Sequence, residues 1–197
     1  MAIRGASRAH SWLLKHFFRF NYFGDRVIIH PSVDIRRRAA PYICLENSVS
    51  LAKDVWLNIP YEAGQADPDH PVIQIGHSSA VGRRSTISGI HHIEIGPNVL
   101  LGPGVFIADH SHGYDSPYLP ILQQGVTEGG TVIIEEGCWF GHNSAVIVDK
   151  GKMLRIGKNS VIGANAVVTK SFPPNSVLVG LPARNVRPFM IRESAVP

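Results

Sequence analysis

Hydrophobic residues recur every six positions through the second half of the chain. The hexamer 95–100 (IGPNVL) runs directly into the hexamer 101–106 (LGPGVF), and further copies begin at Ile134, Phe140, Ile156 and Ile162. Each copy opens with a large apolar residue and carries Asn or Gly at its fourth place. A period of six matches neither the alternation of a hairpin strand nor the turn of an amphipathic helix. The pattern therefore predicts a repeat architecture.

The fourth place of each hexamer predicts a corner. It holds the residue types that most readily adopt a positive φ, at Asn98, Gly104, Gly137, Asn143, Asn159 and Asn165. Pro97 and Pro103 precede two of them, and Pro followed by Asn or Gly is the central pair of a type II turn. Each hexamer is thus a short strand plus a corner. Coils of this kind stack into a parallel β-helix, in which each strand pairs with its counterpart one turn away.

Other parts of the chain follow the repeat less closely. Hexamers 75–80 and 81–86 lack the Asn or Gly, and in 27–59 only scattered aliphatic residues suggest early coils. Three segments interrupt the period, at 61–70, 109–131 and 148–153. We interpret 61–70 as a surface loop. The excursion at 109–131 exceeds 20 residues and carries the densest chemistry, as functional loops do.

The two ends of the chain differ from the repeat. In residues 1–24, apolar side chains such as Trp12, Leu13 and Phe17 recur at helical spacing among Arg8 and Lys15, which predicts an amphipathic helix. One interpretation is a cap on the open end of the solenoid, and the other is peripheral contact with an anionic membrane surface. The β-helix domain is expected over 25–187, and 188–197 as a tail that caps the last coil.

Composition narrows the classes of function. The 197 residues suit a single domain, and 44% hydrophobic with only 8% aromatic residues gives a core of small aliphatics. A formal charge of +4 without a nucleic-acid-binding motif predicts no nucleic-acid partner. Cys44 and Cys138 fit neither a zinc site nor a disulfide framework, so we expect core residues and no metal. No membrane-spanning run or signal peptide is visible, which favours a cytoplasmic location.

Five short motifs accompany the repeat: DHSHGYD at 109–115, CWFG at 138–141, VVTK at 167–170, PPN at 173–175 and GLPAR at 180–184. With them the chain resembles the left-handed β-helix hexapeptide acyltransferases, specifically the maltose, galactoside and capsular polysaccharide O-acetyltransferases. The resemblance covers about 75–187 and is poor over the first 60 residues. It implies a left-handed coil, acetyl-CoA as donor, and a homotrimer with active sites between subunits.

Transfer of an acetyl group from a thioester to a hydroxyl needs a general base on the enzyme, but it does not need a nucleophilic enzyme residue. An alcohol attacks once its proton is removed, whereas a thiolate, with a pKa of about 8.5, leaves readily. The loop offers two imidazoles, His110 and His112. The resemblance places the general base at His112 and gives His110 a supporting role or a contact with the acceptor. It also implies that Tyr114 and Asp115 contact the acceptor.

The resemblance assigns a donor site residue by residue. Trp139 would pack beside the pantetheine arm, and Gly141 and Ala164 would let the coil backbone approach the cofactor. Basic and polar residues near the nucleotide end would bind phosphate; these are Thr169, Lys170, Arg184 and Arg187. Each assignment has a structural alternative. Trp139 could pack at the trimer interface, the small residues could simply form corners, and the Lys and Arg side chains could be solvated charges. We also expect the faces of the solenoid to expose Trp139 and Phe140.

The acceptor remains open. His142 stands where galactoside-type relatives often carry a small hydroxyl residue. Those relatives hold the sugar with acidic and amide residues, and this chain has Gly89 and Val81 or Gly82 at the corresponding positions. We favour a hydroxyl of a sugar or polysaccharide precursor. N-acetylation of an amino sugar and acetylation of a xenobiotic are alternatives within the enzymes.

Two other classes of protein compete with the transferase. A metal hydratase similar to the γ-class carbonic anhydrases would need three imidazoles as zinc ligands. The chain offers five candidates, at His91, His92, His110, His112 and His142. However, the close spacing of His110 and His112 differs from that family's loop. A non-catalytic scaffold is the remaining alternative.

Overall fold

Three β-sheets form the walls of a left-handed solenoid, and their strands are parallel except for one antiparallel pair at the end of the second sheet. The repeat predicted the parallel coils, and the family resemblance implied their left hand. The computed structural model describes residues 2–60 and 70–188. The predicted loop at 61–70 and the predicted tail at 188–197 therefore lie outside the described residues, apart from His70 and Pro188. Within them, one α-helix, α1 (Ala2–Phe17), precedes twenty short strands. The described residues also contain two 3₁₀ helices, at Ala40–Tyr42 and Ile121–Gln123.

The first sheet contains β1 (Tyr22–Phe23), β4 (Ile43–Leu45), β7 (Ile73–Ile75), β10 (His92–Ile95), β13 (Thr131–Ile134) and β16 (Met153–Ile156). The second contains β2 (Ile28–Ile29), β5 (Ser50–Leu51), β8 (Ala80–Val81), β11 (Leu100–Leu101), β14 (Trp139–Phe140), β17 (Val161–Ile162), β19 (Ser176–Val179) and β20 (Arg184–Pro188). The third contains β3 (Asp34–Ile35), β6 (Trp56–Asn58), β9 (Thr86–Ser88), β12 (Phe106–Ala108), β15 (Ala145–Ile147) and β18 (Val167–Val168).

Successive coils stack in register. In the second sheet one inward column is buried throughout and runs through Ile29, Leu51, Val81, Leu101, Phe140, Ile162 and Leu178. Phe140 is fully buried, so the expectation that a face exposes it is wrong. The reason is positional: Phe140 opens its hexamer, and the first place of every hexamer points inward. Trp139 does lie on the outer face, on strand β14.

Corners form wherever the repeat predicted them. The six Asn and Gly residues at the fourth place have φ between +54° and +71°. The same left-handed conformation occurs where the sequence has neither residue, at Arg26, Ser48, Asp54, Ser78 and Arg84. There the neighbouring coil compensates: the amide of Ser78 donates to the carbonyl of Asn47 at 2.9 Å, and that of Arg84 to Lys53 at 3.0 Å. A ladder of hydrogen bonds between coils thus imposes a conformation that costs an L-residue about 1–2 kcal/mol.

Helix α1 covers the open end of the first coil, and the predicted amphipathic helix is confirmed. Ser7, Ser11 and Leu14 form its buried face. The Ser11 hydroxyl accepts the amide of Ile29 at 2.8 Å and donates to the Ser7 carbonyl at 2.8 Å. Among the described residues, no helix is both long enough and apolar enough to cross a bilayer.

Candidate functional site

The excursion loop leaves the solenoid between the third and first sheets. It starts after Ala108, where β12 ends, and returns at Thr131, where β13 begins. Its two arms pair with each other: Thr127 donates its amide to the Ser111 carbonyl at 2.8 Å, Gly113 donates to Gly125 at 3.1 Å, and His112 forms an antiparallel bridge with Val126. These contacts fix the backbone on both sides of His112.

The segment 148–153, to which the sequence assigned no role, supports the base of this loop. Gly151 donates its amide to the carbonyl of Gly129 at 3.2 Å, and the amide of Thr131 donates to Lys152 at 2.8 Å. A Cβ on Gly130 would lie 2.6 Å from the carbonyl oxygen of Asp149. The insertion is therefore packed against the end of the loop, where only glycine fits.

Asp109 anchors the start of the loop. Its side chain is fully buried, and its carboxylate accepts three successive backbone amides from the coil below, those of Ile90, His91 and His92, at 2.8–3.0 Å. A carboxylate with this many donors replaces its lost hydration with fixed hydrogen bonds. The sequence alone suggested no separate role for Asp109. The available signal was an acidic residue directly before the first loop histidine.

The same carboxylate orients His110. Nδ1 of His110 lies 2.9 Å from Oδ1 of Asp109, and the imidazole is only 10% exposed. Because a carboxylate only accepts hydrogen bonds, Nδ1 of His110 carries a proton and donates it to Asp109. His110 is thus held rigidly at the root of the loop.

His112 is the accessible imidazole of the pair. Its side chain is exposed, and Nδ1 lies 3.3 Å from the carbonyl oxygen of Gly125. A carbonyl also only accepts, so this contact favours the tautomer with the proton on Nδ1 and a basic Nε2. The exposed ring of His112 is therefore accessible to an incoming hydroxyl.

The outer part of the loop is ordered by Gln124. Its side-chain amide donates to the carbonyls of Ser116 and Leu119 at 3.0 and 2.8 Å, and its oxygen accepts the Ser116 amide at 2.9 Å. The tip is nevertheless rich in exposed apolar side chains, namely Tyr114, Tyr118, Leu119, Ile121 and Leu122. Asp115 is exposed beside them. A loop that is internally bonded and apolar outside is typical of a contact surface.

Two of the predicted donor residues share one corner. Gly141 and Ala164 stack in successive coils between the second and third sheets, and a Cβ on Gly141 would lie 2.6 Å from the Ala164 amide nitrogen. Coil stacking alone therefore requires a glycine at 141. Trp139 is half exposed on the second sheet nearby.

The basic candidates lie on the last coils. Thr169 and Lys170 follow β18 and are exposed, and the Lys170 ammonium lies 5.6 Å from the ring centroid of Phe172. Arg184 is exposed at the start of β20, and the backbone of Arg187 pairs with Val177. Within one chain, the loop histidines and Gly141 occupy different corners of the solenoid. A single chain thus does not bring His112 and Gly141 together, whereas Thr169 and Lys170 follow the third sheet at the same corner as the loop.

A groove follows the corner between the second and third sheets. It is lined by Arg83, Arg84, Pro103, Gly104, His142 and Asn143. Arg83 and Arg84 are on one coil of this groove and His142 is two coils above them, with Pro103 and Gly104 on the coil between. His142 is the departure from galactoside-type relatives noted in the sequence, which suggested no role for Arg83 or Arg84.

The imidazoles considered for a metal site have separate partners. Nδ1 of His91 lies 3.4 Å from the Thr131 hydroxyl, Nδ1 of His92 lies 3.0 Å from the Pro71 carbonyl, and His110 faces Asp109. In the part of the chain that the structure describes, no three His, Cys, Asp or Glu side chains are grouped as metal ligands.

Both thiols are buried and unsuited to nucleophilic attack. Burial raises the pKa of the Cys44 thiol and of the Cys138 thiol to about 11. At neutral pH both stay protonated, and a protonated thiol is a poor nucleophile. Their positions in the core agree with the sequence expectation.

Comparison with known proteins gives consistent results. The family model for the hexapeptide repeat of succinyl-transferase matches residues 131–170. A putative acetyltransferase of Schizosaccharomyces pombe is 32% identical over 175 residues, 86% of this chain and 76% of that protein. The galactoside O-acetyltransferase of Escherichia coli is 29% identical over 164 residues, 83% of this chain and 74% of that enzyme. A putative lipopolysaccharide biosynthesis O-acetyl transferase of Escherichia coli is 34% identical over 110 residues, 52% of this chain and 54% of that protein.

Solved structures share the fold. AntD, an N-acyltransferase from Bacillus cereus in complex with dTDP and 3-hydroxybutyryl-CoA, superposes with a TM-score of 0.70 at 19% identity, over 91% of this chain and 87% of that one. The hexapeptide-repeat acetyltransferase VCA0836 from Vibrio cholerae, complexed with acetyl-CoA, gives a TM-score of 0.58 at 20% identity, over 96% and 88% of the two chains.

Proposed function

Because this chain belongs to the hexapeptide-repeat acetyltransferase family, we propose that it transfers an acetyl group from acetyl-CoA to a hydroxyl of a sugar or polysaccharide precursor, with His112 as general base. The observation that carries this proposal is the geometry of His112. Its ring is exposed on a fixed loop, and its Nδ1 faces the Gly125 carbonyl, which leaves Nε2 to take a proton.

The proposed reaction is a direct transfer. Nε2 of His112 removes the proton of the acceptor hydroxyl as the oxygen attacks the thioester carbonyl carbon. The new C–O ester bond forms, the C–S bond breaks, and CoA leaves as a thiolate that receives the proton from His112. No covalent enzyme intermediate is needed, in keeping with two buried thiols that stay protonated at neutral pH.

His110 and Asp109 support the loop that carries this base. His110 is held by the buried Asp109 carboxylate at the root of the loop. We assign His110 to positioning or to a contact with the acceptor, because its ring is nearly enclosed. Tyr114 and Asp115, exposed farther along the loop, are proposed to contact the acceptor.

The donor is proposed to bind between subunits of a homotrimer. Over the seven parallel strands of the second sheet, the outward column carries no charge and runs through Ile28, Ser50, Ala80, Leu100, Trp139, Val161 and Val177. The antiparallel strand β20 then places Arg187 beside Val177. The first sheet instead presents Gln74, Glu94 and Arg155. An uncharged face and an apolar loop tip both favour burial against a second copy.

In such an assembly the two halves of the site come from different subunits. One chain would supply the loop with His112, and its neighbour would supply a corner with Gly141 and Ala164 together with Trp139. Thr169, Lys170, Arg184 and Arg187 would bind the nucleotide phosphates. We place the reaction in the cytoplasm, where the donor is made available.

Two relatives named as O-acetyltransferases support a hydroxyl acceptor. The decisive experiment measures thiol release from acetyl-CoA with a panel of free sugars, nucleotide sugars, polysaccharide fragments and matched amino sugars. We expect release only with hydroxyl acceptors, and an ester that is cleaved by mild alkali. An alkali-stable amide product would show N-acetylation instead. Absence of CoA binding by calorimetry would contradict the transferase altogether.

A further inference from the structure

Positive charge is concentrated at the beginning of the chain. Residues 1–42 contain eight Lys or Arg and two Asp, a net charge of +6, whereas the whole chain carries +4. The remainder is therefore slightly acidic. These residues form α1 and the first coil, so the positive charge lies at one end of the solenoid.

The basic side chains lie on α1 and on the first coil. Arg8 is exposed on α1, and three consecutive arginines at 36–38 are exposed directly after β3. Lys15, also exposed on α1, has a carboxylate neighbour, Asp25, at 3.5 Å. The acidic residues of this end are Asp25 and Asp34 alone. The end surface is therefore strongly cationic.

Large apolar side chains are exposed at the same place. Trp12 is 58% exposed and Phe17 is 60% exposed, and Leu13 lies between them. They occupy the outer face of α1, opposite the face that Ser11 and Leu14 bury against the first coil. Capping therefore uses one side of the helix and leaves aromatic rings on the other, among cationic groups.

We propose that this end of the solenoid, formed by α1 and the first coil, binds an anionic membrane surface. Aromatic rings and leucine suit the headgroup level of a bilayer, while basic residues are attracted by its negative potential. The charge argues against a second copy as the occupant, because two such ends facing each other would bring charges of the same sign together. The inference does not depend on the reaction proposed above.

Cosedimentation of the full chain with vesicles tests the proposal. One set of vesicles contains phosphatidylcholine alone and the other adds phosphatidylglycerol, each at low and high ionic strength. Two variants alter the surface: Arg36→Glu with Arg37→Glu, and Trp12→Ser with Phe17→Ser. The matched control is Lys150→Glu with Lys152→Glu, which changes the net charge equally on an exposed loop far along the chain. Thermal unfolding verifies that each variant is folded.

We expect binding to the anionic vesicles only, weakened by salt. The arginine variant should lose at least about 20-fold in partitioning, since each basic residue near an anionic surface contributes about fivefold. The aromatic variant should also lose binding, and the lysine control should retain it. Equal losses in the control and the arginine variant would overturn the proposal, as would absence of binding to anionic vesicles. Self-association that the aromatic variant abolishes would assign the surface to a second copy instead.

Discussion

The carboxylate of Asp109 lies 2.9 Å from Nδ1 of His110, at a point where three backbone amides of the preceding coil also converge on it. One buried side chain thus joins the excursion loop to the solenoid and orients an imidazole. Residues 17–19 positions apart in sequence meet there because coils stack. This relationship makes Asp109 the residue through which loop placement can be tested.

Asp109→Asn should lower both stability and activity. An amide has one accepting oxygen for the three backbone donors, and its NH₂ group would face Nδ1 of His110. Hydrogen bonds to a charged group contribute about 1.5–3 kcal/mol each, so we expect a loss of at least about 2 kcal/mol in the free energy of unfolding. Urea denaturation measures it. Asp115→Asn, on the exposed part of the loop, should change stability by less than about 0.5 kcal/mol. Equal stability of the two variants would refute the anchoring role.

His112→Ala should remove most of the acetyl transfer, by about 10²–10⁴-fold in kcat, because general-base catalysis has that magnitude. His110→Ala should cost clearly less, since its ring is enclosed behind the loop. Steady-state kinetics of both variants test this, with CoA affinity as the control for folding. An inactive His110 variant beside an active His112 variant would reverse the assignment.

Lys170→Ala and Arg187→Ala should weaken donor binding more than they slow chemistry. A cation that contacts phosphate binds the ground state and the transition state alike, so the signature is a higher KM for acetyl-CoA with little change in kcat. We expect an increase of about fivefold or more for each. Lys150→Ala, an exposed cation on the insertion, is the matched control. Equal affinity of the unmodified protein for CoA and for a dephosphorylated pantetheine would contradict phosphate recognition.

Leu100→Glu should dissociate the proposed trimer. Leu100 pairs with Trp139 in adjacent strands of the second sheet, and each is 51% exposed in a single chain. A carboxylate in a buried contact between subunits lacks a partner, and its desolvation costs several kcal/mol. Light scattering at micromolar concentration measures the mass. Met153→Glu, at an apolar position of similar exposure on the first sheet, should leave the assembly intact. A wild-type monomer with full activity would rule out sites between subunits.

Gly104→Ala should destabilise the solenoid by more than the usual penalty for a positive φ. Gly104 has φ +71°, and a Cβ there would collide with Oδ1 of Asn143 on the next coil. Gly151 has φ +67° with open space around it, so Gly151→Ala isolates the conformational cost, about 1 kcal/mol. Chemical denaturation of both variants gives the difference. Adding Asn143→Ala to Gly104→Ala should recover part of the loss, and independent effects would exclude the collision.

Some features of the site were within reach of the sequence and others were not. The loop and its two histidines could be located because a break in a strict period is visible locally. Asp109 was missed because its partners at 90–92 belong to another coil. The supporting contact between Gly129 and Gly151 was missed for the same reason. Both depend on which coils stack, and no local pattern encodes that.

The corners show the same division between local and tertiary causes. Six corners could be predicted from their own residue types, because Asn and Gly adopt a positive φ at little cost. These corners are at Asn98, Gly104, Gly137, Asn143, Asn159 and Asn165. The sequence by itself therefore determined the period, the inward column and these turns. Ser78 and Arg84 have no such preference, and they turn because their amides bond to Asn47 and Lys53 on the coil below. Only the tertiary structure decided those corners, since the hydrogen bonds that offset their strain form only once the coils have stacked.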